Sequence, residues 1–187
     1  LGETPSVTDL GGMEPRAVDP SEILDRPQQA VERSLLRALF SGRRVLITGA
    51  GGSIGSELSR QIASFGPSQL VLLEQCELNA YTIDQDIKQY FPDIQHHVHV
   101  ADIRDAERVN AIFAKHRPEL VFNAAALKHV PMVENNPCEG VLTNVIGTRN
   151  IADAARDVSA IAMVQVSTDK AVNTTNVMGA TKRVAEF

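Results

Sequence analysis

The run Arg43-Arg-Val-Leu-Ile-Thr-Gly-Ala-Gly-Gly-Ser-Ile-Gly-Ser-Glu-Leu58 limits the fold more than any other part of the chain. Val45 to Thr48 is a short apolar, partly β-branched segment that reads as a buried strand. Four glycines follow within seven residues, and Ile54, Leu58 and Ile62 then recur at helical spacing. A strand, a glycine-rich turn and a helix opening in succession make a cradle for an anion. Glycine allows close backbone approach, and the unpaired amides of the first helical turn point at the ligand. Gly49, Gly52 and Gly55, with Ser53 and Ile54 between the last two, have the G-x-x-G-x-x-G spacing of one dinucleotide-binding fingerprint. The same spacing also occurs in strand-to-helix turns that bind nothing, so a second signal is needed.

Gln69 to Glu74 supplies it. The segment is apolar through its middle, reads as the next parallel strand, and ends in an acid. Glu74 stands 19 residues beyond Gly55, where such folds place the carboxylate that accepts from the adenosine ribose hydroxyls. A carboxylate there disfavours a ribose 2′-phosphate, so NAD is expected over NADP.

Downstream, strands and helices alternate. Helices are expected over Glu77–Tyr90 (through Leu78, Tyr81, Ile83 and Ile87), Arg104–His116 (Val109, Ile112 and Phe113 on one face) and 139–157 (a stripe of Val141, Val145, Thr148, Ala152 and Ala155). Strands are expected at Gln95–Val100, Glu119–Asn123 and 160–167, and a last helix over 177–187. This alternation describes βαβ crossovers and an α/β doubly wound parallel sheet, the NAD-binding Rossmann architecture. Ahead of it, residues 1–30 are rich in Gly, Pro, Ser and acids and read as a flexible lead-in, with one turn at Ser21–Asp25. Residues 28–40 read as a helix through Val31, Leu35, Leu36 and Leu39. The division expected is a linker with a short helix over 1–40 and a dinucleotide-binding domain over 41–187.

Composition narrows the function classes. The chain has 187 residues, 43% hydrophobic and 22% charged, with a net charge of −5 and no Lys/Arg run, which argues against a nucleic-acid partner. Cys76 and Cys138 lie far apart, fitting two unpaired thiols in a reducing, cytoplasmic setting. No apolar run approaches membrane-spanning length and no signal-peptide pattern is visible. His96, His97 and His99 fall on one expected strand, 97 and 99 on the same face, without paired ligands nearby, so no metal is expected. Asp84 and Asp86 read as a solvated helix face.

The ordered set Thr48-Gly-Ala-Gly-Gly-Ser-Ile-Gly55, Glu74, Ala101-Asp-Ile-Arg-Asp105, Asn123-Ala-Ala-Ala126, Asn144, Ser167-Thr-Asp-Lys170 and Lys182 resembles the extended short-chain dehydrogenase/reductase superfamily. More closely, Leu127-Lys-His-Val-Pro-Met-Val-Glu134 and Ser167-Thr-Asp-Lys-Ala-Val-Asn-Thr-Thr-Asn-Val-Met-Gly-Ala-Thr-Lys182 are similar to the UDP-N-acetylglucosamine 4,6-dehydratases of bacterial polysaccharide and glycan biosynthesis. The likeness covers roughly residues 40–187.

That resemblance implies roles. Asp102 and Ile103 would border the adenine, and Asn123, Ala124, Ala125 and Ala126 would line the cofactor. Lys128 and His129 would meet substrate or cofactor, although an exposed Lys-His pair has an ordinary surface reading too. In the family's reaction, hydride leaves sugar C4 for NAD, water is lost across C5 and C6, and hydride returns to C6. Lys170 would be the C5 base and Asp169 the acid at the C6 hydroxyl, with the C4 proton relayed by Thr168 or taken by Asp169 directly. Adjacent Asp and Lys keep each other charged, so bound substrate would have to bury both. Most of the superfamily has Tyr four residues before the helical lysine. Here that residue is Met178, which moves no proton, so Lys182 keeps only the ribose-binding part.

The larger dehydratases share this methionine and carry an N-terminal membrane region. By that likeness residues 1–40 are linker, the parent protein is attached to the inner membrane, and the chain stops short of the part that closes over the UDP-sugar. The expected fragment binds NAD without turning over UDP-N-acetylglucosamine. Homo-oligomer formation stays open. The alternatives are a nucleotide-sugar C4 epimerase or other extended short-chain dehydrogenase, and an NAD-sensing module without chemistry.

Overall fold

The computed structural model describes residues 32–187. The expected turn at Ser21–Asp25 and Val31 of the first helix lie outside the described residues. The elements run α1 (Arg33–Phe40), β1 (Arg44–Thr48), α2 (Ser53–Ala63), β2 (Gln69–Glu74), α3 (Glu77–Tyr90), β3 (His96–Val100), α4 (Ala106–His116) and β4 (Leu120–Asn123). They continue with α5 (Val130–Asn135), α6 (Pro137–Val141), a π-helical stretch (Leu142–Gly147), α7 (Thr148–Asp157), β5 (Ala162–Gln165), a 3₁₀ turn (Asp169–Ala171) and α8 (Val177–Val184).

The five strands pair in parallel in the order β3-β2-β1-β4-β5. The chain builds outward from β1 to β3 and then returns to the other side of β1. The order therefore reverses between β1 and β4, the crevice where open α/β sheets take ligands. Side chains alternate between two apolar layers. Val45, Ile47, Leu70 and Leu72 pack with Ile62 of α2 and with Ile83 and Ile87 of α3. Leu46, Val71, Leu73 and Val121 pack with Val109, Ile112 and Phe113 of α4 and with Ile151 and Ala154 of α7. Each such buried side chain contributes about 1.5–3 kcal/mol. Two covered faces explain why the strands read as apolar runs rather than alternating patterns.

Several local expectations are corrected. In α1 the inward residues are Leu36 and Phe40, while Leu35 and Leu39 are exposed; Phe40 stacks on Phe65 at 5.8 Å. In α3 two apolar stripes overlap in sequence, and the buried one is Ala80, Ile83 and Ile87, leaving Leu78 and Tyr81 exposed. Ile54 of α2 is also exposed. The expected helix at 139–157 begins at Pro137 and is broken by the π-helical stretch. Its wider turns advance the buried face by one residue, so Thr143, Asn144, Gly147, Thr148, Ile151, Ala154 and Ala155 face inward while Val141 and Ala152 do not. Strand β5 is shorter than expected because its partner β4 ends at Asn123, opposite Gln165. The last helix ends at Val184 and not at Phe187.

Asp84 and Asp86 are not merely solvated. Asp84 pairs with Lys88 at 2.6 Å and His96 Nε2 at 2.9 Å, and Asp86 with Arg60 of α2 at 2.8 Å. These contacts tie α3 to its neighbours. Cys76 and Cys138 are exposed free thiols. Among the described residues, no helix is long and apolar enough to cross a membrane, and no group of three or more His, Cys, Asp or Glu is placed to hold a metal.

His97 and His99 both meet His116 on the α4 side of β3. The Nε2 atoms of His99 and His116 are 2.8 Å apart, and the rings of His97 and His116 are 4.9 Å apart. Such a pair holds only while one facing nitrogen lacks a proton. Burial, then His99, His97 and Lys115, push His116 down to about 4. Its folded pKa is thus below the unfolded value near 6.5, so its contribution is present above that value and is lost as pH falls toward 4. Thermal unfolding scans should show stability falling by about 1–3 kcal/mol between pH 7 and pH 4.5. In His116→Gln that slope should flatten.

Candidate functional site

The carboxyl ends of the strands open into a cleft of about 600 Å³, within the usual range for small-molecule sites. Its floor is the turn after β1. Gly49 has φ +61°, and a Cβ on it would lie 2.8 Å from the backbone of Ala125 in the loop after β4. A Cβ on Gly55 would overlap the Gly49 carbonyl. The turn and the first turn of α2 therefore pack backbone against backbone. Glycine at 51 has the same reason, since a Cβ there would strike Asn79, whereas Gly52 has more room. The G-x-x-G-x-x-G spacing includes Gly52 and not Gly51, although Gly51 is the more tightly packed of the two. Gly52 caps α2 without a side-chain bond, and no backbone carbonyl among the described residues takes the amides of Ser53, Ile54 or Gly55. Those donors face the cleft, where the helix dipole favours an anion.

Glu74, at the end of β2, is buried on the cleft wall. Its carboxylate accepts from the amides of Gly51 at 3.0 Å and Cys76 at 2.9 Å. It holds the glycine turn against the start of α3, and an ionised carboxylate still has lone pairs for a ribose hydroxyl. Ile103 reaches the cleft, held by Asn150 Nδ2 donating to its carbonyl at 3.0 Å and packed so closely on Gly147 that a Cβ there would be 2.6 Å from it. Asp102 turns aside to Arg104 at 2.6 Å. Burial draws its pKa upward, but the bonds from Arg104 outweigh this and leave it below the ordinary carboxylate range.

Ala124, Ala125, Lys128 and His129 line the opposite wall. Their loop is clamped from the π-helical stretch. Asn144 Oδ1 accepts from the Leu127 amide at 2.8 Å, and its Nδ2 donates to the Leu127 carbonyl at 2.9 Å and to Thr181 Oγ1 at 2.9 Å. Asn123 lies wholly buried beneath the floor, accepting from Thr48 Oγ1 and donating to Thr148 and Gln165. It shapes the strand ends and does not line the cleft.

The far end of the cleft holds Thr168, Lys170, Met178 and Lys182. Met178 is buried. Lys182, 6% exposed, donates from Nζ to the Val166 carbonyl at 2.6 Å, and burial keeps its pKa below the ordinary lysine value against the pull of Glu186. Asp169 stands outside the cleft lining with its side chain 89% exposed. The Thr168 hydroxyl, 2.9 Å away, and the Lys170 ammonium at 3.6 Å hold its carboxyl below the ordinary range.

Most of the residues singled out from sequence thus meet in one space, with Asp102, Asn123 and Asp169 beside or beneath it. Leu73, Gln75, Asn79, Thr143, Val166 and Ser167 also line it and were not singled out. Gln75 and Val166 follow strand ends, so the rule placing ligands at those ends is their signal. Asn79 and Thr143 arrive from helices and have no comparable pattern.

Because the Gly49–Gly55 contact has no room for a methyl, Gly55→Ala should lower stability by about 1–3 kcal/mol. Gly52→Ala, whose Cβ would meet only the Gly49 oxygen at 3.3 Å, should cost less. Thermal denaturation of the two variants side by side checks the order.

The chain is 43% identical over 180 residues to a probable polysaccharide biosynthesis protein, EpsC, of Bacillus subtilis, covering 96% of this chain and 28% of that protein. It is 32% identical over 153 residues to a UDP-N-acetylglucosamine 4,6-dehydratase (inverting) of Campylobacter jejuni and 34% identical over 153 residues to a UDP-glucose 4-epimerase of Rickettsia canadensis; each match covers 79% of this chain and 43% of the relative. The chain therefore spans less than half the length of these relatives. Among solved structures, Pen from Bacillus thuringiensis superposes with a TM-score of 0.73 at 32% identity, over 79% of this chain and 44% of that one. A UDP-glucose-4-epimerase from Stenotrophomonas maltophila, with bound NAD and formylated UDP-arabinopyranose, shares the fold at a TM-score of 0.68 and 23% identity, over 77% of this chain and 46% of that one. The polysaccharide biosynthesis protein family model matches residues 45–187, from the glycine-turn strand through the lysine helix, and the chain belongs to that family.

Proposed function

We propose that the chain is the NAD-binding portion of a nucleotide-sugar 4,6-dehydratase acting on UDP-N-acetylglucosamine. The observation that carries the reading is the far end of the cleft. A buried methionine, Met178, stands beside Lys182 where a proton-transferring hydroxyl would serve an epimerase; Thr168 and Lys170 line the same end, and Asp169 between them is exposed just outside the lining. The cleft fits the cofactor class. The glycine backbone leaves space at the floor, the Ser53–Gly55 amides suit a pyrophosphate, and Glu74 suits a free ribose 2′-hydroxyl, favouring NAD over NADP. Held by the Ser53–Gly55 amides, Glu74 and Lys182, NAD would supply the hydride chemistry at sugar C4 and C6.

The chain's own residues handle the protons. Thr168 Oγ1 already donates to Asp169 Oδ1 at 2.9 Å. A proton released from the C4 hydroxyl onto Thr168 therefore passes to Asp169, converting a carboxylate into the acid that the C6 hydroxyl needs in order to leave as water. This order answers the difficulty that Asp169 begins ionised. Lys170, acting as the neutral amine after giving its proton to solvent as the sugar binds, takes the C5 proton and gives it back once C6 is reduced. Lys182, fixed on the Val166 carbonyl, is assigned to the nicotinamide ribose, and Lys128 and His129 to the substrate side. Attachment of the whole protein to the inner membrane belongs to the same proposal.

A C4 epimerase is the second reading, favoured by the Rickettsia canadensis relative. It would have no use for an acid–base pair at 169 and 170. Incubating the whole enzyme with UDP-N-acetylglucosamine and NAD, followed by NMR, should yield a UDP-4-keto-6-deoxy sugar. An accumulating C4 epimer would overturn the dehydratase reading. Asp169→Asn and Lys170→Met should each lower kcat by about 10²–10⁴-fold; unchanged turnover in both would leave an NAD-sensing module. Titration should show NAD binding more tightly than NADP.

A further inference from the structure

The last strand, Ala162-Met-Val-Gln165, ends in a polar residue that the proposed reaction does not use. Gln165 pairs in register with Asn123 of β4 and is half-buried at the strand end below the cleft. Asn123 Nδ2 donates to its Oε1 at 2.7 Å, and its own Nε2 donates to the Val166 carbonyl at 3.1 Å. The same carbonyl oxygen takes the Lys182 ammonium at 2.6 Å. The geometry points to Gln165 as a positioning residue for Lys182, its amide linking Asn123 to the carbonyl on which the ammonium rests and so setting the place and the charge of that lysine.

A carbonyl oxygen has two lone pairs, and here both are used. A second donor draws negative potential away from the ammonium, so Gln165 loosens the hold of Val166 on the proton of Lys182. It acts alongside burial, which disfavours the charged lysine, and against Glu186 just beyond the end of that helix, which favours it. The other charged groups around the cleft are Glu74 at the end of β2, Lys170, with Asp169 3.6 Å from it, and Lys128 and the titratable His129 on the loop after β4. Through Asn123 the linkage runs on to Thr48, the last residue before the glycine turn. The floor that would bear the pyrophosphate and the lysine assigned to the ribose are joined by one line of hydrogen bonds. Only the ribose assignment of Lys182 rests on the dehydratase reading; the tie between Gln165 and Lys182 does not.

The test is a pH titration of the Lys182 Cε resonance in the 187-residue chain labelled with [13C]lysine, assigned by its absence in Lys182→Arg. Gln165→Leu removes the second donor and should raise the Lys182 midpoint by about half a pH unit. Gln165→Glu keeps an acceptor for Asn123 and adds an anion, and should raise it by about one unit or more. The second variant decides the matter if the first fails to fold. A midpoint that stays put or moves down in a folded Gln165→Glu protein overturns the proposal. NAD titration of the unaltered chain is a separate arm: failure there removes the dinucleotide reading and leaves the lysine titration to judge Gln165.

Discussion

Three stretches of backbone converge on Gly49: its own turn, the first turn of α2 at Gly55, and the loop after β4 at Ala125. The contact is carbonyl and amide against Cα, with no side chain between. Both of the covered sheet faces and the crossover order serve to bring these stretches together, because β1 and β4 must be neighbours although α2, β2, α3, β3 and α4 intervene in the chain. Their closeness leaves the amides opening α2 without backbone acceptors among the described residues and turned into the cleft. A bulkier floor would push the helix away and lose the donors together with the packing.

Just under that floor the apolar core gives way to a polar layer. Thr48, Asn123, Thr148 and Gln165 bond to one another across three strands and α7, while Asn144 fastens the Leu127 loop to α8. Buried amides of this kind are costly unless satisfied, and these are satisfied. They give the strand ends a defined arrangement where a purely apolar layer would leave the loops free to slide. The exposed Asp169–Lys170 pair differs in kind. Thr168 and Lys170 hold the solvent-exposed Asp169 ionised, and on the proposed reading its chemistry would wait on a sugar that excludes water, whereas Lys182 is already desolvated by the protein.

Much of this was readable from residue order. The glycine run, the acid at Glu74 and the alternation of strand and helix specify the parallel sheet and the crevice, because backbone geometry and two-sided burial leave marks on sequence. The likeness at residues 127–134 and 167–182 led to the family itself. What stayed hidden depended on phase or on partners. Leu78 and Tyr81 compete with Ala80, Ile83 and Ile87 for the inward face of α3, and only packing decides between stripes of equal spacing. Gly51 is required by Asn79, a residue of the next helix. Asp84 looks solvated until His96 arrives from β3. The polar network of Asn123 and Gln165 has no local pattern, since its members lie on separate strands.

The π-helical stretch ahead of α7 carries a consequence for how this chain can vary. Its extra residue turns Asn144 toward the Leu127 loop while Ile151, Ala154 and Ala155 still face the sheet. Deleting one residue between Leu142 and Gly147 would rotate everything after it by about 100°, bringing Ala152 and Arg156 inward. Surface loops elsewhere can lengthen or shorten freely over generations, but this segment, though irregular, is bound to a fixed count.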